Sequence, residues 1–116
     1  MEIEKFKVEF LEEVIEFIEG LDDKARIKII YNITKAKFSN DSELFKKLTE
    51  NIWEFRTLFK KSHYRIFAFW DKTDSSATIV IACHGILKKT DKTPTKEIEK
   101  AEQVRINYFK NKSGKK

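Results

Sequence analysis

Apolar residues recur at Phe10, Leu11, Val14, Ile15, Ile18 and Leu21, with Glu12, Glu13, Glu16 and Glu19 between them. That spacing predicts an amphipathic helix over 10–21 with an acidic outer face, stopped at Gly20. Asp22 or Asp23 is a suitable cap for a second helix. Its expected buried stripe is Ile27, Ile30, Ile33 and Thr34, flanked by Ile29 and Ala36. Joined by so short a link, the two helices are expected to form a hairpin across one face of a sheet. The pattern also allows a short leading strand around Ile3–Val8.

After the turn cluster Ser39-Asn40-Asp41-Ser42, the segment Leu44–Thr49 reads as one further helical turn. The period then changes from helical to strand-like. Ile52–Phe59 alternates Trp53, Phe55, Thr57 and Phe59 against Glu54, Arg56 and Leu58, which sets Arg56 opposite the aromatic face. Tyr64–Trp70 is apolar apart from Arg65, and Ala77–Cys83 is similar, as expected of central strands. The links Lys60-Lys61-Ser62-His63 and Asp71–Ser76 are of hairpin length, so three antiparallel neighbours are predicted. Thr93-Pro94 opens a last helix, with Thr93 as cap, Pro94 at the first helical position and an apolar stripe through Ile98, Ala101, Val104, Tyr108 and Phe109. The prediction is an α+β domain over 1–110: an N-terminal helical hairpin on an antiparallel sheet of three to four strands, a C-terminal helix, and a basic flexible tail at 111–116.

Composition adds a direction to that scaffold. The chain of 116 residues suits one domain, and its ten Phe residues supply a core despite a charged fraction of 37%. The net charge of +5 is unevenly spread: residues 1–50 carry nine Lys/Arg against twelve Asp/Glu, and residues 51–116 carry fifteen against seven. The second half is therefore expected to present a polyanion surface. Cys83 is the single cysteine, inside an apolar strand, which argues for a buried thiol and against disulfides or a zinc cluster. The acidic start Met1-Glu2-Ile3-Glu4 does not read as a signal peptide, and no apolar run reaches the ~20 residues of a membrane span. A cytoplasmic protein with no membrane partner is expected.

The densest chemistry follows the third strand. His84-Gly85-Ile86-Leu87 leads into Lys88, Lys89 and Lys92 and then the helix start at Pro94. An imidazole that titrates near neutrality beside clustered ammonium groups suits a phosphate-bearing substrate. Lys92 stands near a helix N-terminus, where backbone N–H groups also favour anions. Arg56 and Arg65 are candidate phosphate clamps, since a rigid guanidinium forks two oxygens. Lys60, Lys61 and His63 form a basic hairpin tip suited to RNA contact. No set of residues has metal-ligand spacing, so no metal and no cofactor are expected.

Ile52-Trp53-Glu54-Phe55-Arg56, Tyr64-Arg65-Ile66-Phe67, His84-Gly85 and the Lys88-Lys89-Thr90-Asp91-Lys92-Thr93-Pro94 segment resemble the HigB-type, phage-derived toxins of the RelE/ParE superfamily. The resemblance covers roughly residues 50–109. It implies a RelE-like fold with a twisted sheet, and an endoribonuclease that enters the ribosome and cleaves translated mRNA. It further implies a type II toxin–antitoxin system, whose helix-turn-helix (HigA-like) antitoxin neutralises the toxin and with it binds promoter DNA. On that reading Arg56, Arg65, His84, Lys88, Lys89 and Lys92 form the catalytic set, and Lys60, Lys61 and His63 meet ribosome or mRNA. Two other readings fit the same charge pattern: a ParE-like inhibitor of DNA gyrase without nuclease activity, and a non-catalytic nucleic-acid-binding module.

Overall fold

The computed structural model describes residues 3–114. Along them run β1 (Lys7–Phe10), α1 (Glu12–Glu19), α2 (Asp23–Ala36), β2 (Phe45–Lys47), β3 (Trp53–Phe59), β4 (Ser62–Asp71), β5 (Ile79–Lys88) and α3 (Thr95–Gly114). The class is α+β, with one five-stranded sheet in the order β1-β5-β4-β3-β2. The strands β3, β4 and β5 are antiparallel neighbours, as their spacing predicts.

The two outer strands depart from expectation. Phe45–Lys47 pairs with β3 instead of making a helical turn, because Phe45 then stacks on Phe55 at 4.3 Å and on Trp53 at 4.8 Å. Burying aromatic area outweighs the local helical pattern. At the opposite edge β1 pairs parallel with β5, so the sheet is mixed, and Phe10 belongs to this strand rather than to the first helix. The helices α1 and α2 follow β1 and pack mainly on β5 and β3 respectively. Both helices pack into the core on one face of the sheet, as expected, but β1 precedes them and the pair is not strictly an N-terminal hairpin.

Asp22 caps α2, its carboxylate accepting from Ala25 N at 2.9 Å. The buried stripe is Ala25, Ile29, Asn32, Ile33 and Ala36, whereas Ile27 is 66% exposed. The expected stripe is corrected because a polar residue belongs to the covered face: Asn32 Nδ2 donates to Thr57 Oγ1 on β3 at 3.0 Å. This bond satisfies a buried amide and leaves Ile27, Ile30 and Tyr31 facing outward.

Strand alternation divides the sheet into two faces. On one, Phe55, Tyr64, Ile66, Ala68, Val80 and Ala82 pack under α1 and α2. On the other, Phe67, Phe69, Ile81 and Cys83 pack against Ile98, Ala101, Val104, Tyr108 and Phe109 of α3. A fully buried Phe or Ile contributes about 1.5–3 kcal/mol, so these clusters anchor both layers. Because α3 covers only part of the second face, the end carrying Arg56 and Arg65 stays open.

Two details of β5 position the site. Phe67 pairs with His84 and Ala68 with Ala82, which leaves Cys83 as the extra residue of a β-bulge. Parity flips there, so His84 leaves the Val80/Ala82 face and joins Cys83 beneath α3. Gly85 then lies under Phe17 of α1, and a Cβ at that position would come within 2.4 Å of the Phe17 ring. The strand also runs on to Lys88, beyond the end expected at Cys83. In α3, Pro94 O accepts from Glu97 N and Ile98 N, while the Thr93 hydroxyl bonds to Glu54 instead of capping. The helix continues through 111–114, residues expected to be a flexible tail; residues 115–116 lie outside the described ones.

Candidate functional site

The open end of the second face is built by the alternation of β3 and β4. Glu54 and Arg56 project from β3, and His63 and Arg65 from β4, with Arg56 directly across from Arg65. Like charges so placed repel, and two carboxylates offset them. Glu54, 2% exposed, has Oε1 3.5 Å from Arg65 Nε and Oε2 3.5 Å from Arg56 Nε. Thr93 Oγ1 donates to Glu54 Oε1 at 3.0 Å, which ties the loop after β5 to the cluster. From that loop Asp91 Oδ1 reaches Arg65 Nη2 at 2.5 Å, Arg56 Nη2 at 2.8 Å and His63 Nδ1 at 3.8 Å. Arg65 Nη1 donates to Tyr64 O at 3.3 Å.

Of these groups Arg56, His63, Arg65 and Asp91 line a cleft of about 440 Å³, together with Glu43, Lys46, Thr57 and Leu58. Lys88 stands opposite His63 in the β4–β5 register and completes the cluster. Its Nζ is buried and has no hydrogen-bond partner; the same holds for Nε of Arg56 and of Arg65. Burial, then Arg65, pulls the Lys88 ammonium below its usual range. Burial likewise lowers Arg65, opposed by Glu54. Burial acts to raise the Asp91 carboxyl, but Arg56 and Arg65 outweigh it and hold the group below the ordinary carboxylate range. Buried donors without acceptors are costly, and here three lie, among the described residues, in the one cluster whose arginines line the cleft. Such an arrangement is suited to receiving an anion.

The other expected site residues fall into two groups. His84 is 1% exposed, its ring stacked on Phe67 at 4.8 Å and its Nε2 3.0 Å from Glu97 Oε1. Burial lowers its pKa and Glu97 opposes that effect. Sealed under α3, His84 does not line the cleft; the structure makes it a packing residue that ties β5 to α3. Lys89 and Lys92 lie exposed in the loop between β5 and α3, outside the cleft lining, Lys89 Nζ donating to Ser62 Oγ at 3.4 Å. Lys60 and Lys61 form the two-residue turn between β3 and β4, with positive φ of 50° and 65°; both are exposed, and Lys60 Nζ lies over the Phe59 ring at 5.4 Å.

His63, expected with them at the hairpin tip, instead shares a face and the cleft with Arg65. The signal was present: His63 and Arg65 stand two residues apart on one strand. Glu54 and Asp91 were missed as site residues. Glu54 could have been found from its parity with Arg56, whereas Asp91 arrives from a loop 26 residues beyond Arg65 and only the tertiary fold shows it. Cys83 Sγ donates to Phe67 O at 3.2 Å, and burial pushes its thiol up to about 12, so it is an unreactive core group. Among the described residues, no helix is long and apolar enough to cross a membrane.

The fold and cleft define a class of small α+β protein with a cationic, anion-receptive sheet face. The family model "Phage derived protein Gp49-like (DUF891)" matches residues 16–105, which include every cleft residue. The chain belongs to this Gp49-like family, a toxin–antitoxin-associated family of HigB/RelE-like type. No match emerges among curated proteins, and none among solved structures.

Proposed function

We propose that this protein is a HigB-type toxin of a type II toxin–antitoxin system, an endoribonuclease that cleaves mRNA on the translating ribosome. The observation that carries the reading is the convergence of Arg56, Arg65 and His63 on one open cleft, with the buried, unpartnered Lys88 ammonium close behind Arg65. In metal-free RNA cleavage the 2′-hydroxyl attacks its neighbouring phosphorus and the bond to the 5′-oxygen breaks. The products are a 2′,3′-cyclic phosphate and a 5′-hydroxyl. Arg56 and Arg65 hold the non-bridging oxygens, and Lys88 adds charge where the phosphorane becomes more negative. His63, rather than the sealed His84, carries a proton at one end of the reaction. Need for a 2′-hydroxyl restricts the chemistry to RNA. Lys46, Lys89 and Lys92 are suited to the flanking phosphates or to ribosomal RNA. The protein works in the cytoplasm, and its partner is a helix-turn-helix, HigA-like antitoxin that joins it on promoter DNA.

The test is cleavage of end-labelled message on translating ribosomes by wild type, Arg65→Lys and His63→Gln, with DNA supercoiling followed in parallel. Wild type is expected to cut. His63→Gln should lose about 10²–10⁴-fold, the usual contribution of a positioned proton carrier. Intact message with active ribosomes sinks the reading; altered supercoiling in its place points to a gyrase inhibitor.

A further inference from the structure

One of the protein's own carboxylates lines the cleft and bridges its two arginines. Asp91 Oδ1 takes Nη2 of both Arg56 and Arg65, although the Asp91 side chain is 69% exposed. A carboxylate placed to stabilise the fold is normally buried with its neighbouring donors satisfied, whereas exposed ion pairs contribute little. Here the buried Lys88 ammonium has no hydrogen-bond partner among the described residues, and the two guanidinium Nε groups meet Glu54 only at 3.5 Å, without a formed hydrogen bond. Asp91 thus fills part of a larger anion site and leaves the rest unfilled.

We propose that Asp91 is a built-in stand-in for an RNA phosphodiester, and that substrate binds by displacing it from Arg56 and Arg65. This rests on the nuclease reading above and adds how that site is kept closed. Arg56, Arg65 and Lys88 face Glu54 and Asp91, and a phosphodiester brings the same single negative charge that Asp91 takes away, so the exchange leaves the charge of the cluster unchanged. Asp91 Oδ1 marks the place of one non-bridging oxygen. The second non-bridging oxygen is what Lys88 Nζ lacks. Release is local, because Asp91 sits in the segment 89–94 between the end of β5 and the start of α3. Thr93, bonded to Glu54, keeps the far end of that segment in place while Asp91 swings out.

The probe is a 2′-O-methyl dinucleotide, which carries one uncleavable phosphodiester, titrated while the arginine side-chain resonances are followed. Wild type, Asp91→Asn, Asp91→Ala and Arg56→Gln are compared, each with its unfolding midpoint checked. If the latched state outweighs the open one about ten to one, both Asp91 variants bind roughly tenfold tighter than wild type. Binding should disappear in Arg56→Gln. Equal affinity in wild type and the Asp91 variants, with loss on Arg56→Gln, overturns the latch and leaves the phosphodiester site standing. Weaker binding in the Asp91 variants also overturns it, since Asp91 then builds the site. No arginine shift in any protein removes both the latch and the phosphodiester site beneath it.

Discussion

Two carboxylate clusters lie on the same face of the sheet, near opposite ends of β4, and they are finished differently. At the closed end Asp71 is 1% exposed and accepts from Thr73 N at 2.9 Å, Thr73 Oγ1 at 2.7 Å, Tyr108 Oη at 2.6 Å and Lys112 Nζ at 2.7 Å. Burial acts to raise its pKa, but those donors outweigh it and hold the carboxyl far below its ordinary value. The Tyr108 hydroxyl is pushed up to about 12 by burial and by Asp71. At the open end Glu54 and Asp91 face Arg56, Arg65 and Lys88, and three nitrogens stay without acceptors. The first cluster is complete within the protein and clasps α3 to the sheet. The second leaves three buried nitrogens without a hydrogen-bond partner among the described residues, the feature on which the proposed ligand site rests.

The largest effect that separates them is expected at Arg65. Arg65→Gln leaves buried Glu54 short of a cation, which costs about 3 kcal/mol, and removes transition-state charge worth about 10²–10³ in cleavage rate. Denaturant unfolding and cleavage on ribosomes measure the two losses. At the other end Asp71→Asn should cost about 2–3 kcal/mol, because bonds to a buried charged acceptor are lost. Cleavage per folded molecule should not change. If Asp71→Asn cut cleavage as deeply as it cut stability, the division between the clusters would be wrong.

Acid sharpens the same contrast. Asp71 has a folded pKa below its unfolded one, so between the two values the unfolded chain binds more protons. Its contribution is present above the unfolded pKa of about 4 and is lost as pH falls further. Stability of wild type should therefore drop below pH ~4, and the drop should be shallower in Asp71→Asn. Equal slopes in urea titrations at several pH values would remove Asp71 from the account of acid stability. The smallest effect belongs to the turn outside both clusters. Lys60 and Lys61 hold left-handed backbone without being glycine, so Lys61→Gly should stabilise by about 1 kcal/mol. A lower midpoint would show that the lysine side chain matters more than its φ.

Much of this was legible along the chain, and the exceptions share a cause. The alternation that sets Arg56 against the aromatic residues of β3 is local, and so are the turns that make β3, β4 and β5 neighbours. The Asp22 cap and the apolar stripe of α3 are local too. What could not be read depends on a second segment. The bulge at Cys83 comes from the register between β4 and β5, and it moved His84 to the other face. Asn32 looks like an outward residue until Thr57 lies opposite it. The strand character of 45–47 follows from Phe55 and Trp53. Asp91 reads as a lone acid among lysines until the fold brings it onto two arginines. The cations of the site were therefore visible in sequence, and strand parity could have added Glu54 and His63, but Asp91 could not be placed without the fold.

Lys88 offers the most direct test, because stability and activity should move in opposite directions. Its buried ammonium lacks a partner in the folded chain, so Lys88→Met should raise the unfolding midpoint or leave it unchanged. The decisive measurement is single-turnover cleavage of message on translating ribosomes by that folded variant. A rate at least ~100-fold below wild type is predicted; cleavage at the wild-type rate would contradict the assignment of the open cluster to the RNA phosphate.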